Sequence, residues 1–233
     1  MKESTKPGSR ARPGSRPRGR PRGFDPEAAL GRARDVFWDA GFAASSLDEL
    51  SEAMAMNRPS VYAAFGDKEA LYLKTLADYR DASAAGMRAA LDPKRPLADG
   101  LRDVYRSALA VYCANPQSPR GCLLIGTAAV ESVRNPRVRE VMAESLGLFN
   151  AILEERFHLA RKAGEIDPTA DPAMLAKLAA SVMYALAVRA RAGEGRAELE
   201  ALADAGVAMI CATSAKGERK PVRSRPPRSG RAG

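Results

Sequence analysis

Asn57, Arg58, Pro59, Ser60 and Tyr62 stand within six residues of one another. They offer short amide and hydroxyl groups, one permanent cation and one phenol. Such groups hydrogen-bond to base edges and phosphates, and they suit a helix whose N-terminal end enters a DNA major groove. An ordinary αα-hairpin inside a helical bundle is the alternative by geometry alone. Enzyme chemistry is poorly served. His158 is the one histidine, so no Ser-His-Asp set can form, and there is no P-loop and no GxGxxG after a strand. Cys113, Cys122 and Cys211 are scattered and lack zinc-finger spacing. Neither catalysis, a metal nor a cofactor is expected.

Helices must position these groups. Hydrophobic residues make up 45 % of the 233, enough for a packed core, while aromatics are only 6 % and alanine abounds. That favours close-packed helices over sheets. Asp25 and Pro26 open a first helix, with Leu30, Ala33, Phe37 and Ala40 on one face and Gly41 ending it. Ser46 and Glu49 form a capping box for a second, whose Leu47, Leu50 and Met54 share a face. After the break at Ala55–Asn57, "RPSVYAAF" restarts the helix, and Asp67 caps a long one through about Leu91. Further helices are expected over roughly 97–114, 120–134, 136–163, 171–192 and 195–213, separated by "NPQSP", "NP", "AGEIDP" and "AGEG". The fold class is all-α, with about nine helices. Residues 46–65 read as a helix-turn-helix.

The stretch "FWDAGFAASSLDELSEAMAMNRPSVYAAFGDKEALYLKTLADY" resembles the DNA-binding domain of the TetR family of bacterial transcriptional regulators. Phe37, Gly41, Ser46, Tyr62, Phe65 and Lys68 fall in the register of that family's pattern, over about residues 24–70. Ala55 stands where a turn glycine is usual, tolerable if its φ stays negative, and Ser51 where a small alanine is usual. The resemblance implies roles. Ser46 and the amides near it, Leu47 among them, would hold a phosphate at a helix N-terminus. Tyr62 and Lys68 would hold backbone phosphates. Asn57, Arg58, Pro59 and Ser60 would read base edges, and the partner would be a palindromic double-stranded operator.

The charge distribution complicates DNA binding. The net charge of +9 divides into about +7 over residues 1–23, +6 over 215–233 and −4 between them. Residues 24–80 carry six basic against ten acidic side chains, so the globular reading head gains little from counterion release. The two tails, rich in Pro, Gly and Ser, read as disordered. Within the first, "PRGRP" at Pro17–Pro21 matches the core of an AT-hook, an arm that lies in the narrow minor groove of A·T-rich DNA. Arg18, Arg20 and Arg22 would make that contact. A non-specific architectural binder driven by the tails is a competing reading. The C-terminal tail has no assigned role.

The resemblance makes residues 71–214 a ligand-binding and dimerisation domain, giving a homodimeric repressor switched by a small molecule. Leu175, Leu178, Val182, Met183 and Leu186, then Leu199, Leu202, Val207 and Ile210, lie on alanine-lightened faces that suit a four-helix dimer interface, ordinary core helices being the alternative. Tyr105, Tyr112, Cys122, Phe149, His158, Met183 and Tyr184 are candidate pocket liners. A thiolate at Cys122, near Arg120 and nine positions after Cys113, would make a redox switch if its pKa is lowered, and a small buried hydrophobe if not. No run of about 18 consecutive apolar residues and no secretory signal are seen, so no membrane partner and a cytoplasmic location are expected.

Overall fold

The computed structural model describes residues 25–212. The arm at 1–23, with Arg18, Arg20 and Arg22, and the tail at 215–233 lie outside the described residues. Within them every regular element is helical. The α1 helix spans Pro26–Ala44, and Asp25 Oδ1 accepts from the backbone N–H of Glu27 at 3.0 Å, capping its first turn. Ala29, Ala33 and Phe37 recur on its inner face and are fully buried. Gly41 breaks the helical path with φ 79°, a conformation closed to most side chains, so the last residues of α1 turn away from its axis.

Helices α2 (Leu47–Ala53) and α3 (Arg58–Phe65) form the expected helix-turn-helix, followed by α4 (Lys68–Ala90). The capping box at Ser46 is complete. The hydroxyl accepts from Glu49 N–H at 3.2 Å, and the Glu49 carboxylate accepts from Ser46 N–H at 2.7 Å. Leu50, Met54, Val61 and Phe65 bury the hairpin against α1 and α4, where Phe37 meets Tyr72 edge-on with centroids 4.8 Å apart. The expected negative φ at Ala55 is not what forms. Ala55 takes φ 52°, the one non-glycine residue with positive φ among those described. The tight turn between α2 and α3 demands the left-handed conformation whichever residue occupies it.

The remainder is a helical bundle of α5 (Leu97–Tyr112), α7 (Pro136–Lys162), α8 (Pro172–Arg191) and α9 (Arg196–Cys211). Helix α8 lies against both α7 and α9, and α4 continues into the bundle to pack on α7. The expected helix over 120–134 is replaced by a π-helical turn, Leu124–Ala128, running into a short α6, Ala129–Glu131. Gly121 explains the late start. It has φ 64°, and a Cβ there would collide with the Ala187 carbonyl oxygen of α8. By length and composition α8 could cross a membrane, with mean hydropathy 1.4 in its most apolar stretch. In this fold its Leu175, Met183 and Leu186 are core residues, whereas Met174, Leu178 and Val188 are exposed.

Candidate nucleic-acid interface and internal cavity

The start of α3 stands clear of the core. Asn57, Arg58 and Pro59 are exposed, Ser60 is half-exposed, and Tyr62 is 52 % exposed although its neighbour Val61 is completely buried. Asn57 is more committed than its sequence suggests. It is the N-cap of α3, and its Oδ1 accepts from Ser60 N–H at 2.9 Å, leaving the amide nitrogen to donate outward. Leu47 turns its side chain toward the core, so only its backbone faces the α2 N-terminus. Lys68 opens α4 with its ammonium 4.6 Å from the centre of the Phe42 ring, a cation–π contact that steadies the side chain beside the hairpin.

Arg58 has a partner that sequence reading missed. Its Nε donates to Asp48 Oδ1 at 2.6 Å and its Nη2 donates to Asp48 Oδ2. The guanidinium beside it holds the Asp48 carboxyl below the usual carboxylate range. This pairing uses one edge of the guanidinium. The other edge, built from Nη1 and the second Nη2 hydrogen, keeps two parallel donors, the pattern that matches O6 and N7 of guanine. Asp48 lies in the first turn of α2 and ten residues before Arg58, a separation at which sequence spacing gives no warning.

Behind this hairpin lies a cavity of about 510 Å³ between α1, α4, α5, the π-helical turn, α7 and α8. Tyr112, Cys122, Phe149, Met183 and Tyr184 all line it. Tyr105 and His158 do not. Tyr105 is buried in the core, where its hydroxyl donates to the Ala179 carbonyl at 3.0 Å. His158 sits on the outer face of α7, 46 % exposed beside Glu154. Helical period accounts for its position, since its neighbour Phe157 is the core residue of that turn.

That α1 reaches the cavity is a feature sequence reasoning missed. Arg34 and Trp38 form part of the wall, as do Tyr79 on α4 and Arg120 in the segment before the π-helical turn. Arg120 stacks over the Trp38 ring at 4.7 Å, and its Nη1 faces Asp35 at 3.2 Å and Asp39 at 3.5 Å, both on α1. The Trp38 indole N–H and the Tyr184 hydroxyl are buried without a hydrogen-bond partner.

The lowered thiol pKa considered for Cys122 is not found. Burial pushes it above the ordinary thiol range, and Tyr79 OH donates to its sulfur at 3.4 Å. Cys113, Cys122 and Cys211 are all unbridged. No group of three or more His, Cys, Asp or Glu that could hold a metal occurs among the described residues.

Two family models match the chain. The one described as bacterial regulatory proteins, tetR family, covers residues 29–75, and the tetracyclin repressor-like C-terminal domain covers residues 98–205. The HTH-type transcriptional repressor ComR of Escherichia coli strain K12 is 29 % identical over 186 residues, 80 % of this chain and 89 % of ComR. The HTH-type transcriptional repressor BdcR of the same strain is 33 % identical over 132 residues, 56 % of this chain and 64 % of BdcR. Among solved structures, a cysteine mutant of the TetR family transcriptional regulator CifR, complexed with 26bp double-strand operator DNA, is 33 % identical. It superposes with a TM-score of 0.69 over 81 % of this chain and 98 % of that one. The reduced form of Escherichia coli NemR shares the fold, with a TM-score of 0.70 at 21 % identity, covering 80 % of this chain and 97 % of NemR.

Proposed function

This chain belongs to the TetR family of bacterial regulatory proteins, and on that premise we propose that it is a homodimeric repressor whose hold on operator DNA is set by a small molecule in the cavity. The observation that carries this reading is the double duty of α1. Phe37 seats the helix-turn-helix through Tyr72, and the adjacent Trp38 walls the cavity. A ligand that shifts Trp38 therefore acts on the helix that orients the hairpin. Residues 24–70 act as the reading head and 71–214 as the effector and dimer domain, with α4 crossing the boundary as one continuous helix. Exposed Met174, Leu178 and Val188 on α8 and Met209 on α9 supply an apolar face for a second copy.

In this reading Arg58, oriented by Asp48, reads a guanine. Asn57, Pro59 and Ser60 contact neighbouring base edges. Ser46, the Leu47 amide, Tyr62 and Lys68 hold phosphates, which fix register without reading sequence. Selection of bound sequences from a random DNA pool by the purified protein tests it. A palindrome with guanine at symmetric positions is the expected outcome. Enrichment of no sequence would favour architectural binding through the tails instead.

A further inference from the structure

The cavity wall has a sign. Among its lining residues two are charged, Arg34 and Arg120, and both are guanidinium groups; no carboxylate lines it. The rest of the wall is aromatic or aliphatic, apart from two serines and Cys122. Carboxylates stand behind it, Asp78 at 3.6 Å from Arg34 and Asp35 and Asp39 beside Arg120, but a cationic ligand in the cavity would meet the two guanidinium groups first. An anionic one would meet donors.

Arg120 is the donor placed to respond. Its main chain is pinned, since Arg120 N–H donates to the Tyr112 carbonyl at 3.0 Å and its own carbonyl accepts from Arg191 Nη1 at 3.1 Å. Its side chain is 26 % exposed, and the contacts to Asp35 and Asp39 both run through a single nitrogen, Nη1. A fixed backbone with a partly solvated, exchangeable head is what a ligand can capture without unfolding the segment.

We propose that the effector is an organic monocarboxylate with an apolar, aromatic-sized body, and that its carboxylate takes Arg120 away from Asp35 and Asp39. This rests on the reading of the cavity as the effector site. The exchange unties α1 from the segment before the π-helical turn. It also leaves two carboxylates four residues apart on α1 without their shared cation, so they repel each other, while Arg34 keeps its own contact to Asp78 on α4 at 3.6 Å. Ligand recognition and release of the reading head are then one event at one side chain.

The test uses a panel of aromatic and branched monocarboxylates, each paired with its own primary amide, measured by calorimetry and by operator binding. The wild type, Arg120→Gln and the cavity-filling Ala108→Phe are compared. Carboxylates should bind the wild type about tenfold or more tightly than their amides, the usual gain from a charge-assisted pair. They should weaken operator binding, and the preference should vanish in Arg120→Gln. Amides binding as well as acids, a preference that survives in Arg120→Gln, or no acid in the panel binding would each overturn the proposal. Ala108→Phe separates the two levels. If neutral ligands bind and Ala108→Phe abolishes them, the cavity stands and the carboxylate proposal falls. If binding is indifferent to Ala108→Phe, the cavity is not the effector site.

Discussion

Ala55 stores strain at the turn that sets the angle between α2 and α3, and Ala55→Gly should release it. At φ 52° an L-residue carries its Cβ close to the following carbonyl oxygen, which costs about 1–2 kcal/mol. Glycine escapes that clash but loses more backbone freedom on folding, about 0.5–1 kcal/mol relative to alanine. The difference leaves a net stabilisation of about 0.5–1 kcal/mol. Ala55 is exposed, so no packing is lost with the methyl group. In a chain of this size about 1 kcal/mol moves Tm by roughly 2–4 °C, so Ala55→Gly should raise it by about 1–4 °C. The measurement is thermal unfolding followed by circular dichroism at one fixed protein concentration, because dimerisation makes Tm concentration-dependent. Ala55→Val is the opposing control and should lower Tm, a β-branched residue being still less tolerant of positive φ. A Tm for Ala55→Gly equal to or below the wild type would refute the assignment of strain to this position.

Other expectations concern the DNA contacts and the buried hydroxyl and thiol groups. Arg58→Ala should reduce preference for the guanine on the order of 5- to 100-fold, and Asp48→Ala about 3- to 10-fold by freeing the Arg58 rotamer, both read by competition between operator variants. Equal preference in Asp48→Ala and wild type would remove Asp48 from the readout. Deleting residues 1–22 should weaken binding to all DNA and make the slope of log affinity against log salt shallower by about 2–3, one unit for each arginine of the arm that meets a phosphate. An unchanged slope would make the arm a bystander. The Tyr72 hydroxyl is pushed up to about 12 by burial. Its neutral form is the one the fold favours, so that contribution is intact below about pH 10 and is lost as pH rises toward 12. Tyr72→Phe should flatten this alkaline limb in a pH series of denaturant melts. Under native conditions Cys122 should be the slowest of the three cysteines to react with iodoacetamide, and rapid modification there would restore the case for a thiol switch.

The local grammar of the hairpin was legible because each signal acts within a few residues. The Ser46–Glu49 box, the Asp25 and Asp67 caps and the break at Gly41 all appear where their residue types imply. Helical period also separated Val61 and Phe65, which are buried, from Tyr62. What failed was set by distant partners. Ala55 has an unremarkable side chain, and only closure of α2 onto α3 forces its positive φ. The segment from Arg120 to Glu131 has the composition of a helix. Its start is decided instead by the close passage of Gly121 against α8, some 66 positions away. The cavity was half legible for the same reason. Aromatic and sulfur-bearing residues of the bundle were fair candidates, and His158 and Tyr105 fell to the wrong face or to the core. Trp38 and Arg34 were invisible as liners because they belong to the helix that seats the hairpin.

That shared helix bears on how a signal crosses the molecule. Among the contacts that join α1 and α4 to the segment 120–128, two are of different kinds. Tyr72 OH bonds Thr127 Oγ1 at 2.8 Å, and the Thr127 hydroxyl itself donates to the Leu123 carbonyl, so this link is fully buried. Arg120 with Asp35 and Asp39 makes the other link, and it is partly solvated. A buried hydroxyl pair resists exchange because neither partner has water to replace the other. A solvated ion pair contributes little to stability and exchanges readily. On the proposed release of Arg120, the first contact would serve as the pivot and the second as the latch, so that α1 would rotate about Tyr72 rather than the two domains separating. A rotation of that kind changes the spacing of two recognition helices in a dimer while leaving the core of each reading head intact.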